Sequence, residues 1–211
     1  MLVRSIVFAL ALVGVTSPAS AHHVTGGALP GSALDGLLSG VGHPLIGLDH
    51  AAFLIGVGVA AAFLPSAMTT ILAFVVATVA GCLLHVAGVV LPMAEIVVAA
   101  SVLMLGVLVL SGRRFGGAVY AALFLVAGVF HGFAYGASIV GAEPPPLAAY
   151  LVGFALIQLV VALVVTGTVR SIWRAATPDA ISTRLTGALV AGIGTVFLFE
   201  QVETLLIGAV V

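Results

Sequence analysis

The stretch Gly42-His43-Pro44-Leu45-Ile46-Gly47-Leu48-Asp49-His50 places two imidazoles and a carboxylate at the mouth of an apolar run that continues to Leu64. His43 and His50 are seven residues apart, two turns of a regular helix, so on such a helix they share a face. Pro44 disfavours helical geometry at His43 and suits the first helical position itself. The expectation is therefore His43 at the cap, Pro44 at the helix start, and Asp49 and His50 pointing inward from the second turn. A carboxylate inside a membrane span costs about 2.5–3.5 kcal/mol on insertion scales, so an ionisable group there marks a functional site by default. Imidazole and carboxylate together suit a borderline divalent transition metal.

Composition sets the context of that stretch. The 211 residues are 63% hydrophobic and only 6% charged, with a mean hydropathy of +1.38. A soluble domain carries about 25% charged residues. The chain reads as an all-α integral membrane protein whose first partner is the lipid bilayer. At about 20 residues per span there is room for six helices joined by short loops. The 26 glycines suit helices that pack closely through small side chains. A net charge of −1 gives no reason to expect a nucleic-acid partner, and the single cysteine, Cys82, excludes an intrachain disulfide framework.

Residues 1–21 read as a cleavable signal peptide, with Arg4 as the positive region, Ile6 to Val15 as the apolar core and Ala19-Ser20-Ala21 as the cleavage motif. Cleavage there puts His22 and His23 at the mature N-terminus, where a free amine and two imidazoles can capture copper or nickel. Residues 24–42 form a lead-in rich in Gly, Ser and Pro, with Leu34, Leu37 and Leu38 suited to a short interfacial helix. The transmembrane domain, 22–211, then has six spans at about 44–64, 69–91, 95–110, 117–136, 147–169 and 185–209. Arg113, Arg114, Arg170, Arg174 and Arg184 all fall in loops that this count places inside. That satisfies the positive-inside rule and makes both mature termini extracytoplasmic.

In this topology the ionisable residues lie at similar depth. His43, Asp49 and His50 occupy the outer half of span one, and His85 lies near the outer end of span two. Glu95 opens span three, His131 lies near the outer end of span four, and Glu200 and Glu203 share a face in the outer half of span six. The inner half is almost free of such groups, so the pattern reads as one site that opens outward. Glu95 has a second reading as a carboxylate favoured by the N-terminal dipole of span three. Cys82 shares a face with His85, but a lone cysteine in a span is usually packing. Met68, Met93 and Met104 do not cluster, which argues against Cu(I).

His43-Pro44 through Asp49-His50 matches the H-P-x-x-G-x-D-H signature of the HupE/UreJ family. Phe130-His131-Gly132-Phe133-Ala134-Tyr135-Gly136 resembles its second signature, F-H-G-x-A-x-G-x-E, and Leu91-Pro92-Met93-Ala94-Glu95 looks like its start of span three. Where the second signature places its glutamate this chain has Ser138, and the nearest acid is Glu143, beside the proline run. Either Glu143 takes over that role or the metal is held with one carboxylate fewer. The resemblance covers the whole chain. It implies a multi-pass protein of the bacterial inner membrane associated with hydrogenase and urease gene clusters and with nickel uptake, with a homo-oligomer or accessory metallochaperones as further partners.

The expected function is a secondary permease carrying a divalent metal from periplasm to cytoplasm. Nickel is favoured by the resemblance, while ligand chemistry also admits cobalt, zinc or copper(II). No permanent cofactor and no enzymatic activity are expected. His43, Asp49, His50, His131, His85 and Glu95 are the candidate ligands, and Glu200, Glu203 and Glu143 are candidates for a proton or metal relay. Two alternatives stay open: an intramembrane zinc hydrolase, in which the same side chains activate water, and a metal-binding accessory subunit that does not transport.

Overall fold

A computed structural model of the chain describes residues 29–208, and every described element is helical. The elements are α1 (Ala33–Ile46), α2 (Leu48–Ala61), α3 (Ala67–Val86), α4 (Ala94–Leu110), α5 (Gly117–Gly136), α6 (Pro144–Gly167, continued by a π-helical turn, Thr168–Ile172) and α7 (Ile181–Gly208). Together with the composition, this makes the chain a helical membrane protein. Helices α3, α5, α6 and α7 are each long and apolar enough to cross a membrane, and α1 with α2 makes a fifth if that bent pair is one span. Helix α4, at 17 residues, is shorter. The expected signal peptide, and His22 and His23 with it, lie outside the described residues.

The structure corrects the reading of the opening stretch. Pro44 does not start a helix. It sits in the last turn of α1, which begins far upstream at Ser32, whose side chain accepts the backbone N–H of Asp35. A proline there removes one hydrogen bond from a turn that is about to end. The chain breaks at Gly47, bends by 79° and restarts at Leu48. His43 is therefore the end of one helix, while Asp49 and His50 are the beginning of the next. The lead-in is no separate interfacial helix, because α1 packs along α6.

Three helix pairs form the outer frame: α3 with α5, α4 with α7, and α1 with α6. In each pair glycines face backbone. Gly81 meets the Val129 carbonyl and Gly132 meets Thr78; Gly106 meets Ala191 and Gly194 meets Leu103; Gly40 meets the Tyr150 carbonyl and Gly153 meets Leu37. A β-carbon at any of these positions would overlap the opposing main chain, so the pairs depend on small residues. Helix α2 fills the space between them, touching α6, α4 and α7. It is apolar and buried on nearly every side, with Phe53, Val57, Val59 and Ala61 fully enclosed, as a helix without a polar face must be.

Two arginines close one end of this frame. The Arg170 guanidinium donates to the carbonyls of Ala61, Ala62 and Leu64 at 3.3, 2.8 and 3.1 Å, and Arg184 donates to the carbonyl of Leu110 at 3.1 Å. They satisfy the orphan carbonyls at the C-termini of α2 and α4, where a cation is favoured by the helix dipole. The widened π-helical turn carries Arg170. Asp179 lies in the connection after it, where the Thr177 side-chain hydrogen bond, aided by Arg114 and Arg184 nearby, holds its carboxyl below the usual range. Arg170 thus marks the end of α2 opposite Asp49 and His50, about 16–18 Å away at 1.5 Å per residue.

Replacing Gly106 by Val should overpack the α4–α7 contact and cost about 1–3 kcal/mol of stability. Thermal unfolding in detergent should show a lower Tm. An unchanged Tm would mean that the helices separate without cost.

Candidate metal centre

The break at Gly47 produces the site. Helix α2 starts inside the bundle, so its first N–H groups need acceptors that water does not supply. The Asp49 carboxylate takes the N–H of His50 at 2.8 Å, and the Gly47 carbonyl takes that of Ala51 at 2.8 Å. A carboxylate in the first turn is also favoured by the helix dipole. Gly47 has an ordinary extended conformation, so a positive φ is not what requires glycine here. Space does: a β-carbon would come within 2.8 Å of the His50 ring.

Three histidines converge from three helices. The Nδ1 atoms of His50 on α2 and His131 on α5 are 2.9 Å apart, with ring centroids at 5.0 Å. His131 is fully buried, and its Nε2 lies 3.0 Å from Ser101 Oγ on α4. His43, at the end of α1, has its ring centroid 6.0 Å from that of His50. Its Nδ1 lies 2.9 Å from the Tyr150 hydroxyl of α6 and 3.0 Å from Ser138 Oγ, just after α5. Both hydroxyls also donate to the carbonyl of Tyr135, at 2.9 and 3.0 Å. The Tyr135 ring packs edge-on against both His43 and His50, with centroids at 5.1 and 4.6 Å.

Below the cluster the lining turns apolar. The Phe53 ring stacks on His131 at 4.4 Å, and Phe74 and Phe124 pack against Phe53 at 5.5 and 6.3 Å. All three phenylalanines are fully buried. The polar cluster therefore ends in an aromatic floor on the side facing the arginines.

His43, Asp49, His50 and His131 are thus brought to one region, all buried. The other expected ligands stand elsewhere. His85 is in the last turn of α3, where its Nδ1–H donates to the carbonyl of Phe133 at 2.6 Å and its ring stacks on Phe133 at 4.2 Å. Helix α3 ends there, ahead of Pro92, because Gly88 takes a positive φ of 80° and Val89 bonds back to Leu84. Glu95 is exposed in the first turn of α4, Glu143 is exposed at the start of α6, and Glu200 and Glu203 are exposed on α7. Among the described residues, no three His, Cys, Asp or Glu side chains are arranged as a ready-made metal shell.

Ser101, Tyr150 and the contact role of Ser138 were not anticipated from the sequence. One signal was available: Ser101 is the only hydroxyl within α4, and a lone polar side chain in an apolar helix needs a partner.

The profile of the family described as "HupE / UreJ protein" matches residues 10–197 of the chain. A curated relative, "Protein HupE" of Rhizobium leguminosarum bv. viciae, is 35% identical over 128 residues, 59% of this chain and 64% of that protein. The aligned region is thus a little under two thirds of the relative's length. No solved structure matches the chain.

The bond from His85 assigns it to the α3–α5 contact. His85→Ala should lower stability by about 1 kcal/mol while nickel affinity, measured by chelator competition on folded protein, stays within twofold of the parent. A tenfold loss of affinity at unchanged Tm would return His85 to the ligand set.

Proposed function

The chain belongs to the HupE/UreJ family, and on that premise we propose that it is a secondary permease for a divalent transition metal, with nickel the favoured ion. It carries the ion from periplasm to cytoplasm across the bacterial inner membrane, in a six-span topology with the histidine end outside and the arginine end inside. The metal is cargo supplied for metalloenzyme maturation, and the protein is no enzyme. The observation that carries this reading is the convergence of His43, Asp49, His50 and His131 at a helix break. Helices interrupted within a membrane expose backbone and polar groups where a transported ion can bind.

The chemistry of the donors supports a transient site. Neutral imidazoles and one carboxylate suit a borderline ion. In this arrangement His50 and His131 satisfy each other's Nδ1, so the nitrogen that His50 has left for an ion is Nε2. Glu95, exposed at the start of α4, and the His22-His23 segment are suited to deliver the ion, with Glu143, Glu200 and Glu203 as candidates for a relay. Metallochaperones or further copies of the chain are candidate partners.

Asp49 has two roles that substitution can separate. Asp49→Asn keeps an oxygen acceptor for the His50 N–H but removes the charge. It should retain expression and Tm while uptake of labelled nickel at sub-micromolar concentration falls at least tenfold. Asp49→Ala should lose both uptake and about 1 kcal/mol of stability. Uptake by Asp49→Asn at the parental rate would remove the carboxylate from the pathway. If the parent takes up no metal and instead purifies with firmly bound zinc, the hydrolase reading replaces this one.

A further inference from the structure

We propose that Ser101 is a positioning residue that sets the tautomer of His131 and, through it, makes Nε2 the nitrogen that His50 offers to a metal. The inference rests on the metal-binding reading above and adds which atom binds and what fixes it.

The argument is a proton count along three buried side chains on three helices. Ser101 is 4% exposed, and its hydroxyl donates to the Val98 carbonyl at 2.7 Å. A serine has one hydroxyl proton, so toward His131 Nε2, 3.0 Å away, its oxygen has only lone pairs to give. His131 must therefore donate from Nε2. A neutral imidazole carries one proton, so His131 Nδ1 is an acceptor. The atom facing it at 2.9 Å is His50 Nδ1, which must then be the donor. His50 has spent its one proton on that bond, and its Nε2 is left unprotonated, the form that a metal requires.

The opposite assignment carries a cost at its far end. If His131 donated from Nδ1 to His50, Ser101 would have to turn its proton away from the Val98 carbonyl, its shorter contact at 2.7 Å, toward Nε2 at 3.0 Å, and His50 would carry its own proton on Nε2. Removing the Ser101 hydroxyl removes that penalty, so both tautomers of the pair become accessible and the binding form loses its preference. This is the way an outer hydrogen-bond partner fixes a ligating histidine. Phe53 stacked on the His131 ring limits rearrangement by tilting, so the choice of tautomer is what remains free.

The test is the protonation pattern of the metal-free protein, read by nitrogen-15 NMR of ring-labelled histidine, with signals assigned through His50→Gln and His131→Gln. The parent should show His50 protonated at Nδ1 and His131 at Nε2. Ser101→Ala should mix or invert that pattern, and Ser101→Thr, which keeps the hydroxyl, should restore it. Ser101→Cys, near in size and a weak acceptor, should fall between and serves if the alanine variant does not fold. Nickel affinity by chelator competition should fall about 10–100-fold in Ser101→Ala and recover in Ser101→Thr. A parent with His50 protonated at Nε2, or a Ser101→Ala pattern identical to the parent, overturns the proposal. The expected tautomers in a protein that transports no metal would leave the relay standing and remove the permease.

Discussion

The break at Gly47 is the constraint on which the rest of the site depends. A helix that begins inside a bilayer-embedded bundle has N–H groups that lipid cannot satisfy. Asp49 meets that demand, and in doing so places a carboxylate at the start of α2. The 79° bend brings the C-terminal end of α1, with its outward-facing carbonyl dipoles and His43, against that start. An unbroken helix would have carried the two histidines on one face with the carboxylate about a third of a turn to the side. The bent one gathers all three, and His131 meets His50 from another helix.

The frame makes that arrangement affordable. Three helix pairs approach to backbone contact through glycine and leave α2 enclosed between them. Enclosure is what gives each polar contact at the site its weight. In a low-dielectric interior an unpartnered imidazole or hydroxyl costs far more than it does near water. The Ser101, Ser138 and Tyr150 hydroxyls are each committed to a carbonyl as well as facing a histidine. The same frame separates function along α2: the histidines gather at its start, and Arg170 secures its end.

Much of this was legible in the sequence, and the misses have physical causes. Composition alone required a helical membrane protein. The bounds of α5 coincide with the apolar run from Gly117 to Gly136 because no breaker interrupts it. Ionisable residues in apolar helices are conspicuous, so Asp49, His50 and His131 stood out. Pro44 misled because proline is tolerated both in a first turn and close to a helix end, and local preference does not distinguish the two. The true break, Gly47, has an unremarkable backbone conformation, and its need for glycine comes from the His50 ring, a tertiary fact. His85 looked like a ligand for the converse reason: one-dimensional depth put it level with the others, but its face of α3 is turned to Phe133.

Ser138 shows how a departure from a motif is to be weighed. Its position is occupied in the resembling signature by a glutamate, and the fold puts it directly on His43, shared with Tyr150. The oxygen presented there is neutral. On the proposed function, a divalent ion beside His43, Asp49 and His50 meets one negative charge and so retains a net charge of +1 within an apolar surround. That residual charge is costly where the dielectric is low, so the ion is held less firmly than by two carboxylates. Weaker holding is a defect in a permanent cofactor site and an advantage in a carrier, because release limits turnover when binding is tight. On that reading the neutral hydroxyl pair at His43, where the signature has a carboxylate, favours release over retention.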